Sequence, residues 1–383
     1  MAKRICSKCN TNPTRRDSKT GLCGACYREA AFAIPALPVT IAPLPPAERI
    51  NEDRAKMKTA AELKDAKQKY EEAVRIIERQ ESELGWLSAI RAGLDTTYRV
   101  EAREGSGTSE GTPIVVASDW HAEETVTPAQ VSGLNRANLE IIDARITRFW
   151  QASLKLVQKH LNPGIHIREV VIALLGDFIT GQIHGAENAE SNSLLPVDAI
   201  IWVQNRIIGG IDFWLNHSPY TLVIPCKVGN HTRTTIRTRF GSEAGHSLES
   251  LMYVHLAGYY RNEPRIKFVI EDGYHTYLDI YDQTVRFHHG HALKYQGGIG
   301  GLFIPAYKAV GAWSKARWAD LDIFGHFHQS KDGGSFLCNG SLIGYNAFAL
   351  SIKADYEQPK QTLVLMDKSR GRTSVWPILL GEK

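Results

Sequence analysis

The chain has 383 residues, 43% of them hydrophobic and 22% charged, with a formal net charge of +4. That is enough for one large domain with an appendage and a sizeable core, and the charge is too mild to argue for nucleic acid by itself. No run approaches the roughly 20 apolar residues that span a bilayer, and "MAKRICSKCN" has no apolar stretch after its basic residues, as a signal peptide would, so a cytosolic protein with no membrane partner is expected.

In chain order, residues 1–30 come first and hold four of the six cysteines. Cys6, Cys9, Cys23 and Cys26 are spaced C-x2-C-x13-C-x2-C. In a reducing cytosol this points to metal rather than disulfides, and two such knuckles can close one tetrahedral thiolate site. One structural zinc is expected, which would supply the folding energy of so small a segment; a redox pair is the alternative. Lys3, Arg4, Lys8, Arg15, Arg16, Lys19 and Arg28 suit a nucleic-acid backbone, though zinc ribbons also hold protein partners. Residues 31–46, "AFAIPALPVTIAPLPP", read as a stiff extended linker.

Residues 47–95 are rich in helix formers and contain no proline. Leu63, Tyr70, Ile77 and Leu84 recur every seven residues, with Ala66, Ala73, Gln80 and Leu87 three positions later. This predicts a long helix with a coiled-coil seam, and a homodimer is its simplest outcome. The alternative is a helix lying on its own catalytic domain. Residues 96–112, including "REGSGTSEGT", read as a flexible linker.

From 113 to 383 a catalytic domain is expected. "PIVVASD" (113–119), "EVVIALLGD" (169–177), "YTLVIPCKVGN" (220–230), "YLDIYDQTVRFHHG" (277–290) and "ADLDIFGH" (319–326) read as strands, and 135–161 as a helix with an apolar stripe. The alternation predicts an α/β sandwich. Cys226 and Cys338 read as small buried hydrophobes.

Every one of those strands ends in groups that can bind metal. In order they are Asp119 and His121, Asp177, Asn230 and His231, His289 and His291, and His326 and His328. Carboxylate, imidazole and amide oxygen together form the donor set of a two-metal hydrolase. One carboxylate must bridge such ions, and Asp177 is the natural bridge. In an extended chain His326 and His328 would point one way, with Phe327 turned to the core.

The order D-x-H, G-D, G-N-H, H-G-H, G-H-x-H resembles the calcineurin-like metallophosphoesterase superfamily, over about residues 113–370. The resemblance implies a two-sheet α/β sandwich of that type, preceded here by the zinc module and the long helix. It implies two divalent ions, with Mn favoured and Fe, Zn or Ni able to serve. Asp119, His121, Asp177 and His328 would hold the first, and Asp177, Asn230, His289 and His326 the second. A metal-bridging hydroxide would attack phosphorus, and His231 would protonate the leaving group. "CNGSLIGYNAFAL" and "GGIGG" are similar to metallophosphoesterases of tailed phages and prophages, which would place the protein in a host cytoplasm.

The family often follows G-N-H with a carboxylate that orients the histidine; here Thr232 stands there, and Glu123 and Glu124 are the candidates for that task. Thr180 stands where a second Asp or Asn is common, so His184 is a candidate active-site residue. His291, Arg233 and Arg237 are candidate substrate contacts, since Arg forks match phosphate oxygens. His288 should face the other way. The function expected is a nuclease or phosphodiesterase acting on nucleic acid. The alternative is a phosphomonoesterase acting on phosphoproteins or nucleotides, with the zinc module as a docking site.

Overall fold

The computed structural model describes Cys9 and residues 46–94, 109–161, 164–183, 190–294 and 301–381. Cys6, Cys23, Cys26, His184 and residues 31–45 lie outside the described residues. The chain divides into two units, Met1–Ala102 and Arg103–Lys383.

In the first unit, helix α1 (Pro46–Leu94) covers the stretch predicted to be helical. It starts one residue early, on the last proline of the expected linker. Proline is tolerated there because the first turn has no N–H partner to lose. Leu63, Tyr70, Ile77 and Leu84 are all exposed.

The second unit is built on two mixed sheets. In the first, β1 (Ser109–Ala117), β3 (Glu169–Leu174), β4 (Thr221–Cys226) and β5 (Ile266–Ile270) run parallel, and β2 (Ile165–His166) pairs with the start of β1. On the far side of β1 lie β11 (Lys360–Asp367) and β12 (Gly371–Leu379), both antiparallel to their neighbours. The second sheet has the order β6 (Thr276–Ile280), β7 (Gln283–Phe287), β8 (Leu321–Phe324), β10 (Phe336–Cys338), β9 (Lys331–Asp332).

Period-two alternation explains the layering. Ile114 and Val116 of β1, Val171 and Ala173 of β3 and Val364 of β11 pack with Val285 and Phe287 of β7 and Ile323 of β8, forming the core between the sheets. Val115, Ala117, Ile172 and Leu174 face the other way, into a core shared with α2 (Leu139–Lys155), α3 (Pro196–His217) and α4 (Leu248–Tyr259). Phe324 and Phe336 of the second sheet meet α5 (Phe303–Trp313) on its outer side. The result is a two-sheet α/β sandwich with helices on both outer faces.

Three boundaries differ from expectation. Residues 109–112 belong to β1 rather than to the linker. Gly111 and Thr112 pair with Asp367 and Met366, and a Cβ on Gly111 would lie 2.9 Å from Ile165. Residues 277–290 are the β6–β7 hairpin and its exit, not one strand. The turn passes through Tyr281 at φ 57°, without the Gly or Pro that usually marks a turn. Helix α2 begins at Leu139, after Asn138 caps it by accepting from the Ile141 N–H at 2.9 Å.

Candidate metal centre

The parallel strands β1, β3 and β4, with β7 and β8 of the facing sheet, all deliver their C-terminal ends to one place. Trp120 seats the first loop by packing edge-on against Phe149 and Phe178. It leaves Asp119 and His121 on either side.

These loops are not extended. Asp119, His121, Asp177, His326 and His328 have φ between 44° and 73°, five of the eight non-glycine residues with positive φ among the described residues. Left-handed backbone costs on the order of 1 kcal/mol for such residues, and it clusters at functional sites. His326 and His328 therefore reach the centre through left-handed turns, not through strand alternation. Phe327 between them is buried against Phe324, as expected.

Two glycines allow the loops to close up. A Cβ on Gly229 would stand 2.0 Å from Asp177 Oδ1, and one on Gly325 would stand 2.2 Å from Asp119 Oδ2.

The side chains form overlapping donor groups. Ligand atoms of Asp119, His121 and His328 lie within 4.8 Å of one another, as do those of Asp177, His289 and His326, and of His121, Asp177 and His231. His328 Nε2 is 3.0 Å from His121 Nε2 and 3.6 Å from Asp119 Oδ1. His289 Nδ1 lies 2.7 Å from the Leu175 carbonyl, to which it must donate. Its Nε2, 2.8 Å from Asp177 Oδ2, then faces a carboxylate lone pair to lone pair. Only a proton or a cation can occupy that gap. Asn230 Oδ1 is buried at the same end of the site with no hydrogen-bond partner, and such an orphaned oxygen suits a metal ligand. The residues present thus fit a divalent cation.

The electrostatics agree. Burial, with help from the neighbouring imidazoles, holds His121 and His326 well below the ordinary histidine value, and burial takes His328 down to about 3. These rings are neutral, as metal ligands must be. Burial would lower His289 too, but the Asp177 carboxylate outweighs it and pushes the ring up to about 10. Burial raises Asp177, yet the charges of His289 and His231 hold its carboxyl well below the usual range. Burial brings Asp119 up to about 7, with His289 opposing.

Around the donors stands a supporting layer, part of which sequence reasoning missed. Asn339 Nδ2 donates to Ser118 Oγ at 2.9 Å, and Ser118 Oγ donates to Asp119 at 2.5 Å. The His326 N–H donates to both Asp119 oxygens at 2.9 and 3.0 Å. Glu249 on α4 is fully buried and accepts from the N–H groups of Gly229 (2.7 Å) and Phe178 (2.8 Å), so one carboxylate joins the Asn230 and Asp177 loops. Its only trace in the sequence is one acid on the apolar face of "LESLMYVHLAGY".

His231 is oriented differently from either expectation. Its Nδ1 donates to the Thr180 carbonyl at 2.8 Å, not to a carboxylate. Glu123 acts one step back, accepting from the N–H groups of Thr180 (3.0 Å) and Gly181 (2.7 Å), while Glu124 accepts from Thr180 Oγ1 at 3.2 Å. Thr180 Oγ1 also meets His121 Nδ1 at 3.0 Å.

The other candidates fare variously. Arg233 donates to the carbonyls of Asn230 (2.6 Å) and Thr235 (3.2 Å), so two of its N–H groups brace its own loop. Arg237 is exposed on that loop. His291 lies 2.5 Å from Glu243 and stacks on Phe240, which makes it a tie between loops instead of an open substrate contact. His288 faces away, stacked on Phe324.

No family model matches the sequence, and no curated protein does. Several solved structures align with parts of this chain. A conserved uncharacterized protein and predicted phosphoesterase from Streptococcus pneumoniae TIGR4 has 10% identity and a TM-score of 0.27, over 70% of this chain and 98% of its own. Vacuolar Protein Sorting 29 from Cryptosporidium parvum has 12% identity and a TM-score of 0.28, over 70% and 97%. A hypothetical protein from Pyrococcus horikoshii OT3 has 10% identity and a TM-score of 0.34, over 71% and 89%.

Proposed function

We propose that the chain is a metal-dependent phosphoesterase that works with two divalent ions, and that it cleaves nucleic-acid phosphodiesters. The position of Asp177 carries this reading. One of its oxygens faces His289 Nε2 across a gap that a proton or a cation must fill, and the residue belongs to two of the donor groups. Asp119, His121 and His328 would complete one ion's shell, and Asn230, His289 and His326 the other's. Mn2+ is the ion we favour for this mixed oxygen and nitrogen set. Such ions supply Lewis acidity at phosphoryl oxygens and a nucleophilic water at neutral pH.

The chain's own residues do the rest. The His326 N–H and Ser118 fix both Asp119 oxygens. The Thr180 carbonyl fixes the proton on His231 Nδ1, so Nε2 is the nitrogen that delivers a proton to the leaving oxygen. Phe348 and Val126 give the cavity an apolar part, with Phe348 beside His326 and His328.

Support for a diester comes from shape. A cavity of about 670 Å³ over the metal donors and a cleft of about 390 Å³ past Arg233 both have His231 in their walls. A chain-like substrate crossing the centre would use both, whereas a small monoester would fill one. The test is the purified chain with Mn2+, offered single- and double-stranded DNA, RNA and p-nitrophenyl phosphate. Cleavage of at least one polynucleotide is expected; cleavage of the monoester alone would replace this reading with that of a phosphatase.

A further inference from the structure

We infer that the cleft beyond His231 is the subsite for the leaving group, and that it takes a nucleoside. The inference rests on the phosphoesterase reading above. His231 lines both cavities, while Asp177, His121, His326 and His328 line only the larger one. A general acid must touch the leaving oxygen. The group attached to that oxygen therefore extends from His231 away from the metal donors, into the smaller cleft.

One side of this cleft is apolar. Three polar side chains of loop 231–246 are held by nearby groups of the chain. Thr232 Oγ1 lies 2.8 Å from Ser247 Oγ, Thr235 Oγ1 donates to the Arg237 carbonyl at 2.8 Å, and Arg233 braces Asn230 and Thr235. Ile179, Ile183, Pro196, Ile236 and Leu248 give the space an apolar side, and Gln182 and the 232–235 run give it a polar one. Ile236 is 96% exposed, and the residues flanking Pro196, Leu195 and Val197, are 64% and 60% exposed. Large aliphatic groups clustered in the open beside a reactive centre mark a ligand surface. At about 390 Å³ the cleft has room for one ring system and its sugar, not for two acyl chains. Arg237, next to Ile236, is exposed, and an Arg fork there would suit a further phosphate of a leaving strand.

Two matched pairs test this with the full chain and Mn2+. One is the dinucleotide TpT against its analogue with an abasic leaving sugar. The other is adenosine 5′-monophosphate against ribose 5-phosphate, which serves even if only monoesters react. In whichever pair is hydrolysed, the base should raise kcat/KM by about ten-fold, mainly through KM, because an apolar body is buried on binding. Ile236→Ser, at an exposed position that folding does not need, should shrink that ratio several-fold. A ratio near one, a ratio untouched by Ile236→Ser, or faster hydrolysis of a diacylglycerol phosphate than of adenosine 5′-monophosphate would overturn the nucleoside subsite. Hydrolysis of none of these compounds while a polynucleotide or p-nitrophenyl phosphate is cleaved would overturn the subsite alone; hydrolysis of no phosphoester at all would remove the phosphoesterase reading, and the subsite with it.

Discussion

Helix α1 and the strand-end loops of the sandwich both carry a regular sequence signal, and the signal ends differently in each. In α1 the seven-residue repeat of Leu63, Tyr70, Ile77 and Leu84 yields a helix whose apolar positions stay exposed. In the sandwich, short runs ending in Gly, Asp, Asn or His yield loops whose side chains meet in a buried centre. A periodic pattern specifies local structure in either region. Only long-range packing decides whether the residues that carry it find partners.

The largest effect that would break this contrast comes from adding one methyl group. Gly229→Ala places a Cβ 2.0 Å from Asp177 Oδ1, so it should displace Asp177 and lower both Mn2+ affinity and hydrolysis by at least about 10²-fold, as loss of a supporting group does. The circular dichroism spectrum should stay that of a folded protein. Hydrolysis within a few-fold of the parent would show that the two loops are not packed as described.

The next effect is a pH dependence. Without metal, His289 keeps its proton up to about pH 10 and Asp119 up to about pH 7. A bound cation displaces both protons, whereas His121, His326 and His328 are already neutral and release none. Raising the pH therefore favours the loaded protein, by about ten-fold in affinity per unit above pH 7 and more steeply below it. Mn2+ titrations at several pH values measure the slope, and an affinity that falls as pH rises contradicts the proton assignment.

Smaller effects belong to α1. Its seam is expected to pair two copies of the chain. Tyr70→Lys with Ile77→Lys should convert a dimer to a monomer in sedimentation, while hydrolysis by the second unit persists. A parent chain that is monomeric at all concentrations would leave the seam as an exposed stripe. Smallest of all, Gly85→Ala meets nothing within 4 Å and should stabilise the helix by about 0.5–1 kcal/mol. The same substitution thus strengthens one region and disables the other.

Much of the donor cluster was legible in the sequence because its side chains sit at the ends of apolar runs, most of which carry a glycine. Asp119, Asp177, Asn230, His289 and His328 could be named that way, and so could four of the strands. The supporting layer could not. Glu249 and Asn339 act from a helix and a loop far along the chain, and nothing local marks them. The Thr180 carbonyl that orients His231 is a backbone atom, invisible to any reading of side chains. The β6–β7 turn at Tyr281 escaped because a left-handed tyrosine is an uncommon turn residue. The left-handed turns at His326 and His328 escaped because the alternating pattern suggested an extended chain.

The central claim is that Asp177 joins two ions in one centre. Electron paramagnetic resonance of the full chain loaded with Mn2+ tests it most directly, because it reports coupling between ions regardless of substrate. Two exchange-coupled Mn2+ ions per chain are expected, with the coupling lost in Asp177→Asn. A single uncoupled ion in the parent chain, or coupling that survives Asp177→Asn, would contradict it.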